Sequence, residues 1–248
     1  MLNKEELKEI ENIKSKYYMM PLINRLNIYA ENNNWVSAFN YLYNVIIDSK
    51  EDVDELLESR VRNGEIKDKS QARKSIVGNE FQLILIYTFL KCKENNLIKD
   101  NIFITSKKNK LDSLNDLYTI KVGEEIQKPD CDIVIYKLDD FNDLKSCLIL
   151  SLKTSLIERA GQTYKWKLLM EIAIDDNNKI KDKYELKYNP KIKPYVGFVT
   201  VNFYNEINNP QQRGMFKFFD KTFIAKQLDD YNFISPLSSI ADFINGDF

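Results

Sequence analysis

The chain has 248 residues, 44% of them hydrophobic and 29% charged, enough for one globular core with a helical appendage. Its net charge of -1 removes the overall basic field that would advertise a nucleic-acid partner, although a local cleft can still be basic. With no histidine anywhere, Ser-His-Asp and Cys-His catalysis, HExxH proteases and every histidine-dependent nuclease are excluded, and the lack of a CxxC pair sets zinc aside, so hydrolytic chemistry would rest on carboxylates, lysine and a hard metal such as magnesium.

The first residues, MLNKEELKEIENIK, lack an apolar signal core, and the longest apolar runs fall short of the roughly 20 residues a membrane span needs. Residues 1–65 read as a helical region: Leu22, Leu26 and Tyr29, then Ala38, Leu42, Val45 and Ile46, fall at helical spacing, with a break at AENNNW (30–35). The polar stretch 63–71 reads as a linker, and residues 66–248 as the main domain. Residues 73–93 predict one long, mostly buried helix. Strands are predicted at 102–106, 131–136, 147–154, 195–204 and 215–225, a helix at 157–174, and a short helix from Pro236. Arg213 and Gly214 read as a turn between strands. The class is α/β: a mixed central sheet of four or five strands flanked by helices, with an N-terminal helical region. Cys92, Cys131 and Cys147 are too few and scattered for a disulfide framework and read as reduced core residues of a cytoplasmic protein.

Two neighbouring strands concentrate the chemistry. In KPDCDIVIY, Asp130 and Asp132 stand at the mouth of an apolar strand, two positions apart, and share a face if the strand starts that early. In ILSLKTS, Ile149, Ser151 and Lys153 share one face. A lysine inside such an apolar strand is costly unless it is paired or functional. The polar turn DDFNDLKS joins the two strands, so a simple hairpin sets Asp130 beside Lys153. Metal-assisted phosphodiester hydrolysis needs such a set: a carboxylate to hold Mg²⁺, and a lysine to orient water and stabilise developing charge. Each residue alone also fits a plainer reading, a pre-strand turn at the aspartates and a strand-edge charge at Lys153.

KPDCDIVIY followed by LSLKT resembles the PD-(D/E)xK superfamily, with Ser151 at the position of the usual acid. The Ser-x-Lys variant is similar to type II restriction enzymes that read CCGG or CC-containing palindromes, and KTSLIERAGQTYKW resembles their TSLRER stretch. Glu158 and Arg159 match its acid–arginine pair, while Ile157 replaces its first arginine. RKSIVGNEF resembles their early helix, on which Glu80 matches a further active-site glutamate. The resemblance covers roughly residues 70 to 225. It implies a Mg²⁺-dependent, site-specific nuclease acting on double-stranded DNA as a homodimer at a short palindromic site, with a separate methyltransferase for the same site.

The resemblance also implies that the acid missing at Ser151 comes from the next helix, 13 or 14 residues after the lysine. Trp166 and Lys167 stand there. Glu171 is the first glutamate beyond, either brought in by a rearranged helix or engaged in an ordinary i,i+4 pair with Lys167. Glu80 has apolar neighbours Ile84 and Tyr87 on its helix face, so its carboxylate is either a metal-site group or a helix N-terminal one. Arg159 can bond guanine O6 and N7, and Glu158 can accept from cytosine N4. Gln162 and Lys165 lie within reach of bases or phosphates. SKKNK (Lys107, Lys108, Lys110) reads as a phosphate-contacting loop or a solvated run. Two other functions share these residues: a repair or resolvase-type nuclease with the same core, and a non-enzymatic DNA-binding protein in which Asp130 and Lys153 form a structural ion pair.

Overall fold

The computed structural model describes residues 1–107, 110, 112–156, 160–176, 179–231, 233–246 and 248, without the side chains of 112 and 160–162. The chain forms two compact units, Met1–Asp100 with Ile224–Asp247, and Asn101–Phe223 with Phe248.

The first unit is built from α1 (Lys4–Lys14), α2 (Met19–Asn32), α3 (Trp35–Ala38), α4 (Leu42–Asp48), α5 (Lys50–Arg62) and α6 (Lys69–Glu94). Asn3 and Glu6 start α1 with a reciprocal capping box, each side chain accepting the other's backbone N–H at 2.9 Å. The second Glu6 oxygen accepts from the Lys93 ammonium at 2.6 Å, in an almost fully buried pair that pins α1 to the far end of α6. All residues from 84 to 90 on α6 are buried, and a helix enclosed on every side is the centre of its unit. The boundary drawn from sequence fell at 65. The unit runs on to Asp100 because α6 packs on α1 through α5.

The second unit contains β1 (Ile102–Thr105), α7 (Asp112–Leu117), β2 (Ile120–Val122), β3 (Glu125–Gln127), β4 (Ile133–Leu138), β5 (Leu144–Lys153), α8 (Ala160–Ile174), α9 (Lys179–Lys183), β6 (Leu186–Lys187), β7 (Tyr195–Thr200), α10 (Pro210–Phe216) and β8 (Lys221–Ile224), whose last residue belongs to the first unit. β9 (Ser235–Pro236) and α11 (Ser239–Asn245) then complete the first unit. The main sheet has the order β1-β4-β5-β7-β8-β9, with β4 antiparallel to β1 and β5, and β5 parallel to β7. The mixed sheet with its helices bears out the α/β class. Val134 and Tyr136 of β4, Cys147 and Ile149 of β5, and Val196 of β7 pack with Leu114 and Leu117 of α7 and Met170 and Ala173 of α8. The β4–β5 turn is closed by Asp139, whose Oδ1 accepts from the N–H groups of Phe141 and Asp143, both at 2.9 Å. None of the three cysteines is in a disulfide, and all are buried. No described helix is long and apolar enough to cross a membrane.

Several elements differ from their sequence-based expectation. The strand predicted over 215–225 is confined to β8, and Arg213 and Gly214 lie inside α10, not in a turn. The Asn209 side chain accepts from Gln211 N–H and Pro210 opens the helix, which is a strong helix start. Pro236 sits in β9, and the last helix begins at Ser239. The main sheet has six strands, and a second sheet, β3-β2-β6, was not foreseen, its strands being only two or three residues long.

Gly197 on β7 sits where no side chain fits: a Cβ would stand 2.8 Å from Leu150 Cδ2, 3.2 Å from the Lys221 carbonyl oxygen and 3.3 Å from Leu148 Cδ1. Gly197→Ala should therefore destabilise the protein by about 1–3 kcal/mol, as overpacking does. Urea denaturation measures it, and an unchanged midpoint would refute this tight approach of β7 to β5 and β8.

Candidate active site

The site is set by register. Ile133 pairs with Leu150, so the same antiparallel count carried outward sets Asp132 opposite Ser151 and Asp130 opposite Lys153. The regular strand begins only at Ile133, and the Asp132 N–H donates to the Leu150 carbonyl at 3.0 Å, one residue off that count, so the ladder turns irregular where the aspartates begin. With a side-chain period of two, Asp130 and Asp132 fall on the face of Val134 and Tyr136, and Ser151 and Lys153 on the face of Cys147 and Ile149. This is the face packed against α8, and the aspartates stand at its open end.

The Lys153 ammonium donates to Asp130 Oδ2 at 2.8 Å and to Asp132 Oδ2 at 3.2 Å. The lysine side chain is 9% exposed, while Asp130 and Asp132 are 42% and 31% exposed. Two backbone-anchored bonds fix the aspartates. Leu152 N–H donates to Asp132 Oδ2 at 2.7 Å, and the Ser151 hydroxyl donates to the Asp130 carbonyl at 2.8 Å. Ser151, at the position of the resembling family's acid, is thus a bracket that holds the Asp130 backbone on β5.

The chain beyond Lys153 is held from the loop after β7. Phe203 N–H donates to the Thr154 carbonyl at 3.2 Å, and the Glu206 carboxylate accepts from the Ser155 hydroxyl at 3.0 and 3.2 Å and from Leu156 N–H. Asn202 and Asn205 adopt left-handed backbone at φ 51 and 55, which asparagine tolerates better than most residues. Sequence reasoning missed Glu206. No local pattern announces it, because its contact depends on the parallel pairing of β5 with β7.

The other candidates are placed differently. Glu171 pairs with Lys167 at 3.2 Å, the i,i+4 alternative, and Lys167 also donates to Asp220 at 2.7 Å. Lys165 is exposed on α8. Ile157, Glu158, Arg159 and Lys108 lie outside the described residues, as does the side chain of Gln162. Glu80 belongs to the first unit. It lies three turns into α6, away from the helix N-terminal turn, and its Oε1 meets Arg73 at 3.4 Å. Arg73 is shared with Asp54 at 2.7 Å, and among the described residues Glu80 Oε2 has no hydrogen-bond partner. Burial pushes the Glu80 carboxyl up to about 7, against the lowering influence of Arg73.

Among the described residues no group of three or more acidic or cysteine side chains converges to hold a metal. Asp130 and Asp132 form a two-carboxylate oxygen set. That suits magnesium, which uses one or two protein carboxylates and completes its shell with water and phosphate.

The family model described as BsaWI restriction endonuclease type 2 matches residues 107–243, a span that contains Asp130, Asp132 and Lys153. The chain belongs to this family. A curated protein of Methanocaldococcus jannaschii that carries the name of type II restriction enzyme MjaVIP is 27% identical over 152 residues, which is 55% of this chain and 65% of that protein. The chain thus matches less than two thirds of that relative's length. The crystal structure of the specific restriction endonuclease AgeI with DNA is 12% identical, with a TM-score of 0.38 over 91% of this chain and 80% of that one, a likeness too loose to carry an argument. For this member of the BsaWI family, the match places Asp130 and Lys153 within the family's own region and leaves Glu80 before it.

The Glu80 environment gives a pH dependence with a definite sign. A folded-state value above the ordinary glutamate value means that this group's stabilising contribution is complete below the ordinary value and is lost as pH rises through about 7. The loss is on the order of 3 kcal/mol. Glu80→Gln should remove that dependence, so the variant gains on the wild type between pH 5 and pH 8, as read from urea midpoints. A pH-independent difference between the two proteins would refute this.

Proposed function

We propose that the chain is a Mg²⁺-dependent type II restriction endonuclease that hydrolyses both strands of DNA at a short palindromic site, acting as a homodimer. The observation that carries this reading is the convergence of Asp130, Asp132 and Lys153 at the open end of a hairpin. Asp130 is 42% exposed beside a lysine that is 9% exposed, and both aspartates are tied to β5 by further hydrogen bonds, so the set is held in place with one side open. A group that receives substrate needs one side open.

In this reading Asp130 and Asp132 hold the magnesium ion. When bound, the ion polarises the scissile phosphate and acidifies an attacking water. Lys153, steadied by both carboxylates, donates hydrogen bonds to the attacking water and to the charge that develops on the phosphate. Ser151 and Leu152 N–H keep the two carboxylates in place, which limits the reorganisation left to the reaction step. Glu158 and Arg159 read a C·G pair, with Gln162 and Lys165 contacting DNA beyond them. Family membership supports a DNA substrate. A separate methyltransferase that protects the same site, and a cytoplasmic location for both proteins, belong to the same proposal.

Plasmid DNA incubated with the protein and Mg²⁺ should give discrete fragments that disappear in EDTA. Lys153→Ala should slow cleavage by about 10²–10⁴-fold while leaving DNA affinity within a few-fold. Full cleavage by the variant would overturn the assignment of Lys153, and a smear without fixed ends would move the reading to a repair or resolvase-type nuclease. Arg159→Ala should relax the cut sequence at one base pair, and an unchanged fragment pattern would remove it as a base reader.

A further inference from the structure

The small sheet β3-β2-β6 has two unlike faces. Ile120, Leu186 and Tyr188 point into the core of the second unit. On the other face, Lys121 of β2 stands directly opposite Ile126 of β3 and Lys187 of β6. Like charges set opposite each other on antiparallel strands are destabilising, so this pairing calls for something that the sheet alone does not supply. Both lysines are exposed, and among the described residues neither forms an ion pair with a carboxylate. They line a depression of about 320 Å³ with Asp116, Thr119 and Asn189, so two ammoniums face one carboxylate and two neutral hydrogen-bonding side chains.

We infer that this face of the small sheet is a phosphate-backbone contact for duplex DNA, taking up phosphates beside the one that is cleaved. The inference rests on the nuclease reading. The covalent geometry brings it within range, because β3 runs directly into the loop that carries Asp130, with exposed Lys128 on the way. Four residue steps separate Ile126 from Asp130, and two strand spacings separate β3 from β6. Lys187 therefore lies at most about 25 Å from Asp130. At 3.4 Å per base pair, that is roughly seven base pairs along a duplex. Lysine suits the task as a point charge on a flexible stem, which gives affinity without base readout.

The test is fluorescence anisotropy with a labelled duplex of about 30 base pairs and arbitrary sequence, in EDTA, titrated between about 50 and 200 mM salt. Lys121→Gln/Lys187→Gln should weaken binding by at least about tenfold at 0.1 M salt and lower the slope of log affinity against log salt by about 1.8, the value for two lost phosphate contacts. The charge-matched control Lys8→Gln/Lys145→Gln, at exposed positions elsewhere, should change neither. Unchanged affinity and slope in the first variant, with wild-type binding intact, would overturn the surface and leave the nuclease reading standing. An equal loss in the control would overturn it too, by reducing the effect to net charge. A wild type that fails to bind the duplex at low salt would overturn both.

Discussion

Everything at the site depends on the antiparallel register of β4 and β5. A strand slipped by one residue presents its other face, so a shift of one would turn Lys153 away from both aspartates and carry Ser151 away from the Asp130 carbonyl. The ladder from Ile133 to Lys137 fixes the count, with the apolar side chains of β4 and β5 holding it. The same pairing answers an energetic problem. A lysine that is almost buried would be costly alone, since an orphaned charge of this kind commonly costs 3–5 kcal/mol. The hairpin places two carboxylates where that cost is met, and leaves their other side open to solvent.

The first unit handles charge by a different rule. The Glu6–Lys93 pair is closed to water on both sides and joins the N-terminal helix to the central one. Arg73 lies between Asp54 and Glu80, closer to Asp54, so one guanidinium serves two carboxylates and the deeper one is left incompletely satisfied. In the second unit Lys167, 3% exposed, also meets part-exposed acids, Glu171 at 48% and Asp220 at 30%, so a buried cation beside open acids is not by itself a mark of chemistry. What sets the hairpin group apart is two aspartates on one strand face, each tied to β5 by a further hydrogen bond, and charge content alone would not have revealed it.

The parts of this arrangement that were legible in the sequence are local. Asp130, Asp132 and Lys153 could be read because two apolar strands and a short polar turn put the partners about twenty residues apart, and α6 could be read because its apolar residues are continuous. Glu206 was not legible, since its contact with Ser155 and Leu156 exists only once β5 and β7 lie parallel. The three-stranded sheet was hidden by strands too short to show alternation. α10 was hidden because Arg213-Gly214 suggests a turn and Met215 and Phe216 run into the aromatic stretch that follows, until Asn209 and Pro210 are weighed as a helix start. Glu80 is legible as buried from its apolar helix neighbours, and Arg73 stands two turns earlier on the same helix, but the competition from Asp54 on α5 exists only in the packed helices.

The closed turn at 139–143 lies at the end of the hairpin opposite the aspartates. Asp139 seals it by its own side chain, and its Phe141 is 86% exposed. Length added there would leave the register between Ile133 and Leu150 untouched, because the ladder counts from the other end. Length added or removed between Asp130 and Ile133, or between Leu150 and Lys153, would not be absorbed. Related chains are therefore free to diverge in hairpin length by growing at the tip, and the spacing between their aspartate and lysine can drift while the constellation itself stays fixed.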